Sequence, residues 1–193
     1  MSKRILVAAV AAAAGAVAGA VLLSGVPASA NAATPVPTAA AAAAVTTPAL
    51  GDVIPSGFGD VVFYGVPVQL PRLPETTFGI MAGARDAAGG LTNLVATNET
   101  SGSDKAPGFH AVAAGMNVGG HDVPTFGYYY GPAAKITARI RGTVGVAHQA
   151  RWSEDPNVVV FWFDPGVADP ENLQAFDAAG TELPAGDTGV GHG

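Results

Sequence analysis

From residue 51 onward, hydrophobic residues occur in short runs separated by turn-forming residues. Each run is about 5–10 residues long, and turns recur about every 8–12 residues, a spacing typical of a β-sandwich or β-barrel. The runs do not keep the 3.6-residue period of a long amphipathic helix. The pattern predicts one all-β domain over residues 51–187, folded as an antiparallel β-sandwich of the immunoglobulin-like or a similar type.

Two of these runs indicate how deeply their strands are buried. Residues 135–141, "KITARIR", alternate polar and aliphatic side chains, which predicts a strand with one wet face and one buried face. Residues 158–163, "VVVFWF", are apolar at every position. We expect this second run to be the main core strand, covered on both faces, because each large side chain contributes roughly 1.5–3 kcal/mol when it is buried.

The tetrapeptide Asp-Ala-Ala-Gly occurs twice, at Asp86–Gly89 and at Asp177–Gly180. Each copy lies between apolar runs. An Asp at the first position of a turn accepts hydrogen bonds from backbone N–H groups, and the Gly supplies the positive φ that a glycine bulge requires. The repeat therefore predicts two hairpin turns of the same geometry rather than two catalytic or metal-binding aspartates.

The first thirty residues have the pattern of a secretory signal peptide. Lys3 and Arg4 precede an uncharged apolar segment, and the small residues Ala28 and Ala30 occupy the −3 and −1 positions of a cleavage site after Ala30. "ANA", ending at Ala32, offers a second site. The apolar segment is about 19 residues long, so an uncleaved membrane anchor is the alternative.

Beyond the predicted signal helix, residues 31–50 contain no charged residue and are rich in Ala, Pro and Thr. This composition predicts a flexible, disordered linker. The Gly-rich residues 188–193 predict a disordered tail.

Charge and cysteine content exclude several functions. The 193 residues include 9 basic and 15 acidic side chains, and removal of Lys3 and Arg4 with the signal leaves 7 against 15, a net charge of −8. Such a chain has no electrostatic reason to bind nucleic acid or, once the signal is cleaved, an anionic membrane. The chain has no cysteine, so it has neither a disulfide framework nor a cysteine for lipid attachment.

The sequence contains no recognised catalytic, cofactor or metal motif. Its four histidines lack the spacing of zinc ligands, and no serine lies in a Gly-x-Ser-x-Gly motif. His148 has the parity of Val144 and Val146, which predicts that it points inward with them. An extracellular hydrolase that pairs His148 with Asp164 is the enzyme alternative, and it requires these side chains within about 10 Å.

Carboxylates cluster in "DPGVADPEN", where Asp164, Asp169 and Glu171 could supply oxygen ligands to Ca²⁺. The spacing does not match a known calcium loop. We favour turn and cap roles, with Asp169 capping a short helical turn.

Aromatic residues are the remaining candidates for a binding surface. Exposed rings on a β-sandwich can stack on sugars or contact a protein partner. In the triplet at 128–130, Tyr129 should face away from Tyr128 and Tyr130. The sequence therefore offers Tyr128, Tyr130 and Trp152 as binding-surface candidates.

Residues 127–183 carry "GYYYGPAAKITARI", then "FWFDP", then "LQAFDAAGTEL". This third of the chain resembles a module of exported actinobacterial proteins of uncharacterised function. The resemblance implies an extracellular β-sandwich behind a signal or a single membrane span, and it transfers no functional residue.

These observations favour a secreted, non-enzymatic β-sandwich that binds a protein or cell-wall partner outside the cell, or that has a structural role there. A membrane-tethered extracellular sensor is the alternative if the N-terminal segment is retained. The sequence determines neither the partner nor the oligomeric state.

Overall fold

The computed structural model describes residues 7–9 and 48–192, and these residues form strands, turns and loops without an α-helix. Within them there is no helix of the length and hydropathy that crossing a bilayer requires. The predicted signal helix and linker fall mostly outside the described residues. The strands are β1 (Val7–Ala9), β2 (Leu50–Pro55), β3 (Val61–Pro67), β4 (Phe78–Arg85), β5 (Leu91–Asn98), β6 (Gly108–Ala113), β7 (Met116–Val118), β8 (His121–Val123), β9 (Phe126–Tyr130), β10 (Lys135–Ile140), β11 (Thr143–Val146), β12 (His148–Arg151), β13 (Val158–Trp162), β14 (Glu171–Phe176) and β15 (Val190–Gly191).

The described strands form three sheets and one separate hairpin. The first sheet has the order β1-β5-β4-β3-β2, and the second has the order β12-β13-β9-β6-β15. The third sheet has the order β11-β10-β14, and β7 and β8 form the hairpin. Among the strands of the described residues, all pairings are antiparallel except that between β15 and β6. The all-β prediction is confirmed, and the first two sheets pack face to face as in a sandwich.

The second sheet is buried on both faces, and β13 shows this most clearly. Val158, Val160 and Trp162 pack against the first sheet, in a core that also contains Phe63 and Ile80. The alternate residues of β13 face a second core that is closed by the third sheet. All positions of 158–163 are buried. The prediction of a core strand covered on both sides is therefore confirmed.

The third sheet makes the fold more than a two-layer sandwich. In β10, Ile136 and Ala138 face the second core, and Lys135 and Arg139 are exposed, as the alternation predicts. Thr137 departs from the prediction because it is only 5% exposed. Its small side chain lies on the middle strand of the sheet, between cross-strand neighbours on β11 and β14.

The two Asp-Ala-Ala-Gly segments adopt the same turn. In the first, Asp86 Oδ1 accepts hydrogen bonds from the N–H groups of Ala88 and Gly90, at 2.8 and 2.7 Å. In the second, Asp177 Oδ1 accepts from residues 179 and 181 at 2.9 and 2.8 Å. The glycines at 89 and 180 have φ of 88° and 84°. The repeat is a repeat of geometry, as the sequence predicts.

The C-terminal segment differs from the predicted disordered tail. Val190–Gly191 pairs in parallel with Val112–Ala113 of β6, and the N–H of Ala114 donates to the carbonyl of Gly191 at 2.9 Å. Val190 also packs against the second core. An apolar contact and a free sheet edge therefore order a segment whose composition alone indicates disorder.

Trp152 joins the first sheet to the second. Its Nε1 donates to the carbonyl of Leu50 at 3.0 Å, and its ring centroid lies 4.9 Å from that of Phe78. The ring also covers Gly65, the register partner of Leu50. A Cβ on Gly65 would lie 2.7 Å from Trp152 Cε2 and closer still to Cζ2. The ring therefore requires glycine at this position of β3.

We expect Gly65→Ala to destabilise the protein by about 1–3 kcal/mol, because the added methyl group must displace a packed ring. Urea denaturation measures this change. The control is the same substitution in a Trp152→Leu background, where the smaller side chain leaves room for the methyl group. An equal cost in both backgrounds would show that β3 itself, and not the ring, imposes the constraint.

Candidate functional site

The three aromatic candidates do not form an exposed surface. Tyr128 is 0% exposed and Trp152 is 5% exposed, and Tyr130 is half-buried. Tyr128 packs in the core between the first two sheets, whereas Tyr129 faces the second core, so the predicted alternation is correct. The prediction of a stacking surface is wrong for Tyr128 and Trp152, because the first sheet covers this face of the second sheet and buries both rings in the core between them.

Each of the four histidines lies within 4 Å of a different carboxylate. Three of these pairs are exposed or half-exposed, and one is buried. The pairs are His110 with Glu99 at 2.8 Å, His121 with Asp60 at 3.1 Å, His148 with Asp164 at 2.9 Å and His192 with Asp169 at 3.6 Å. They join segments up to 61 residues apart in the chain, which is why sequence spacing did not reveal them.

The pair His148–Asp164 meets the distance condition of the hydrolase hypothesis. His148 Nε2 lies 2.9 Å from Asp164 Oδ1, and the imidazole stacks on Trp162 with a centroid distance of 5.9 Å. Phe58 contacts the ring edge-on at 5.4 Å. His148 lies beside Trp162 on the face of the second sheet that is turned toward the first sheet, but half of its side chain is exposed because β12 is an edge strand. The predicted parity with Val144 and Val146 is wrong, because the chain leaves the third sheet at Ala147 and those valines belong to a different sheet.

No serine of the described residues is hydrogen-bonded to this pair. The hydroxyl oxygen of Ser56 accepts from the N–H of Phe58, and those of Ser103 and Ser153 accept from the N–H groups of residues 105 and 52. The hydroxyl of Ser101 is buried without a partner. A hydrolase of the serine type needs a hydroxyl in hydrogen-bond contact with the base, and the pair lacks this group.

The carboxylates considered for calcium lie in different surroundings. Asp164 contacts His148, Asp169 contacts His192, and Glu171 begins β14 opposite Arg139. Within residues 7–9 and 48–192, no three His, Asp or Glu side chains converge as metal ligands would. The helical turn predicted after Asp169 does not form, because the residues from Glu171 extend along β10 as a strand.

The remaining histidine belongs to a buried polar cluster, which we define as Glu99, Asp104, His110 and Tyr128. His110 Nδ1 lies 2.8 Å from Glu99 Oε2, and Nε2 lies 2.6 Å from the carbonyl oxygen of Ala106. Both neighbours are groups that accept hydrogen bonds, so each ring nitrogen has a partner. The ring stacks on Tyr128 at 4.9 Å with a 9° interplanar angle. Both ring nitrogens are engaged and enclosed, which leaves neither for a substrate.

The other half of this cluster ties the β5–β6 loop to the start of β4. Asp104 is 1% exposed, and its Oδ2 accepts hydrogen bonds from the N–H and hydroxyl of Thr77 at 2.6 and 2.9 Å. The Tyr128 hydroxyl donates to the carbonyl of Asp104 at 3.1 Å. Burial, followed by the nearby charges of Asp104 and Glu99, raises the pKa of Tyr128. The cluster is a structural anchor with its polar groups satisfied.

The exposed feature that the core does not explain is β11, at the edge of the third sheet. Arg141 and Gly142 form a two-residue turn with φ of 49° and 81°, as in type I′ hairpins. Ile140 and Thr143 flank this turn as register partners, so the N–H and C=O groups of Thr143 point toward β10. The N–H of Ala147 donates to Ile136 at 3.0 Å, which agrees with this alternation.

The backbone groups of the two intervening valines must then point away from the sheet. Val144 and Val146 are 65% and 61% exposed, more than any other large hydrophobic side chain in the described part of the chain. Both side chains lie on the face opposite the second core. The edge therefore presents two N–H donors, two C=O acceptors and two valine side chains to solvent.

Basic side chains and a groove flank this edge. Arg139 and Arg141 are exposed, and neither guanidinium lies within 4 Å of a carboxylate of the described residues. A groove of about 410 Å³ adjoins Val144 on the third sheet, and Thr137, Arg139 and Gln174 are among the residues that line it. We call Val144, Val146, Arg139 and Arg141 the edge surface. The edge surface was not predicted from the sequence, because Arg-Gly is not one of the dipeptides that indicate a two-residue hairpin and the exposure of β11 depends on the width of the third sheet.

Comparison of the chain with protein-family models, with curated proteins and with solved structures finds no match.

The buried contact between Glu99 and His110 predicts how the free energy of unfolding depends on pH. Burial of the Glu99 carboxyl raises its pKa. This effect is outweighed by the hydrogen bonds to His110 and to the N–H groups of Ser101 and Thr100, together with the charge of His110. The net result is a pKa of Glu99 below its ordinary value of 4.5. Ionised Glu99 therefore stabilises the fold above about pH 4.5, and this stability is lost as the pH falls through the lowered pKa.

We expect Glu99→Gln to lower the free energy of unfolding at pH 7 by about 1.5–3 kcal/mol, the range for hydrogen bonds to charged groups. Because the amide does not titrate, the difference from the native protein should shrink as the pH falls below 4.5 and through the lowered pKa of Glu99, as measured by urea denaturation. Glu154→Gln, at an exposed carboxylate, is the matched control. A difference that stays constant with pH would contradict the lowered pKa of Glu99.

Proposed function

We propose that the protein is a secreted, non-enzymatic β-protein that acts by binding a partner outside the cell. The observation that carries this proposal is the edge surface, where unpaired backbone groups and two exposed valines lie beside two unpaired arginines. Surfaces with these properties are typical of strand-mediated protein recognition. The signal-like N-terminus and the net charge of −8 after its removal support an extracellular protein partner over nucleic acid.

An extracellular hydrolase is a second candidate, and the contact between His148 and Asp164 favours it. A His–carboxylate pair orients an imidazole for general base catalysis when a nucleophile lies next to it. The four serines after the predicted cleavage site are engaged elsewhere or buried, as described above. The pair also resembles the other three His–carboxylate contacts of the chain. A structural contact explains it with fewer assumptions, so binding is the preferred function.

A membrane-tethered sensor is the alternative if residues 1–30 are retained. Val7–Ala9, which pairs with Val95–Thr97 of β5, belongs to the apolar segment that would form the anchor. Insertion of that segment into a bilayer and cleavage after Ala30 both take these residues away from β5. The two forms therefore differ in location.

We expect the natively expressed protein to be soluble outside the cytoplasm and to begin at Asn31 or Ala33, as cell fractionation and intact mass would measure. Ala28→Tyr should block the first cleavage site only and move the start to Ala33. Ala30→Tyr should block both sites, because it changes the −1 position of the first and the −3 position of the second. A membrane-bound wild-type species that retains Met1 would establish the tethered form instead.

The binding and hydrolase functions differ in their dependence on His148. We expect the purified protein to hydrolyse a panel of ester and amide substrates no faster than its His148→Ala variant does, because no hydroxyl contacts the imidazole. The variant's thermal unfolding should stay close to that of the native protein, since exposed ion pairs contribute only about 0–1 kcal/mol. Turnover that is lost in His148→Ala and retained in His121→Ala would support the hydrolase.

A further inference from the structure

We propose that the edge surface binds an extended protein segment that alternates acidic and apolar residues and adds to the third sheet as a strand beside β11. This inference rests on the proposed extracellular binding function and names its partner's chemistry. It follows from three properties of the edge: the direction of its backbone groups, its exposed valines and its unpaired arginines.

The backbone sets the first requirement on the partner. Because Thr143 and Gly145 direct their N–H and C=O groups toward β10, Val144 and Val146 direct theirs outward. The outward groups recur every second residue, at a spacing of about 6.8 Å, which is the repeat of an extended strand. A partner that matches these groups must be extended over at least three or four residues.

The side chains set the second requirement. Val144 and Val146 share one face of β11, so every second residue of an added strand would lie next to them on that face. Arg139 is the register partner of Val144 and lies on this same face, so the acidic side chains of the partner belong at those positions. Their methylene groups would cover two valines that are now 65% and 61% exposed, and their carboxylates would lie on the side of Arg139. Specificity in strand addition comes from such alternate positions.

The charges set the third requirement. The chain after Ala30 has 7 basic residues, and three of them, Lys135, Arg139 and Arg141, lie between residues 135 and 141. Arg139 is the register partner of Val144, and Arg141 lies in the turn at one end of β11. Glu171 is opposite Arg139 on β14 but forms no ion pair with it within 4 Å. An acidic strand would provide the carboxylates that these guanidinium groups lack.

The same charges disfavour a second copy of this chain as the occupant. Two β11 edges that pair with each other would place Arg139 and Arg141 of both copies along one small sheet. Like charges on neighbouring strands are destabilising. The two arginines would attract an acidic segment at the same positions where they would repel a second copy of the chain.

The test uses the exported chain as purified and two labelled, acetylated eight-residue peptides, one alternating Val and Glu and the other alternating Val and Lys. Fluorescence anisotropy at low ionic strength should show the Val/Glu peptide binding at least about tenfold more tightly than the Val/Lys peptide. This preference should weaken as salt is added. Equal binding of the two peptides, or no binding of the Val/Glu peptide, would overturn the proposal.

Substitutions in β11 test whether the peptide occupies this edge. Val144→Pro removes an outward N–H without removing a hydrogen bond to β10, and it should weaken Val/Glu binding about tenfold. Circular dichroism and thermal unfolding check that the variant folds. The double variant Val144→Thr/Val146→Thr keeps the branched side chains that suit a strand and removes apolar area, so it should also weaken binding. Undiminished binding in folded variants would place the peptide on another edge, such as β5, and overturn the proposal.

Substitutions of the basic residues test the charge requirement. The double variant Arg139→Gln/Arg141→Asn should weaken Val/Glu binding about fivefold or more at low salt, and Asn suits the positive φ at position 141. Lys135→Gln is the matched control, because this exposed cation lies on the same strand at the end far from the turn, and binding should change less than about twofold. An equal loss of binding free energy per removed charge in the double variant and the control would mean that only the net charge matters and would overturn recognition at this edge.

Sedimentation velocity separates an acidic partner from a second copy. We expect that the wild-type chain does not dimerise through β11. A concentration-dependent dimer that Val144→Pro abolishes would assign the edge to self-association and overturn the proposal. If the protein is exported and processed but does not bind the peptide, the partner proposal fails and the proposed extracellular function is unaffected. If the protein stays in the cytoplasm, the proposed function itself is rejected.

Discussion

Strand β13 has apolar side chains on both faces, and this constraint forces a layer of protein on each side of the second sheet. The first sheet covers one face through Phe63, Phe78 and Ile80, and the third sheet covers the other through Ile136 and Ala138. A two-layer sandwich would leave Val159 and Phe161 against solvent, at roughly 1.5–3 kcal/mol for each large side chain. The short third sheet is therefore a requirement of the core.

The third sheet is only as wide as this covering role demands, and its limited width creates the exposed edge. β10, the middle strand, and β14 supply the residues that close the second core. β11 completes the hairpin with β10, and its inward-facing position at residue 145 is a glycine, close to Ile140. The outward valines contribute nothing to this core. Packing does not require apolar, β-branched side chains on this exposed edge, which is why the edge surface is the best candidate for an interaction.

The features that depend on local pattern could be predicted from the sequence, and those that depend on long-range pairing could not. β13 could be predicted because its run of apolar residues is uninterrupted, which is typical of a strand buried on both faces. The Asp-Ala-Ala-Gly turns could be predicted from the positions of Asp and Gly. The burial of Tyr128 and Trp152 depends on a layer that only the fold reveals. The exposure of His148 could not be predicted for the same reason. The alternating run that contains it is interrupted at Ala147, where the chain passes from the third sheet to the edge of the second. The His–carboxylate contacts likewise join distant loops, so spacing along the chain gave no signal for them.

The arginines beside β11 have two consequences for the edge, and both follow from their sign. An exposed strand edge is a site for unwanted pairing, and natural sheets commonly place charges there to prevent it. In a chain with a net charge of −6, acidic residues could have served that purpose as readily as basic ones. Basic residues, which are scarce in this chain, instead repel another copy of the edge while attracting a strand of opposite charge. The same two side chains can therefore protect the edge from self-association and select its partner.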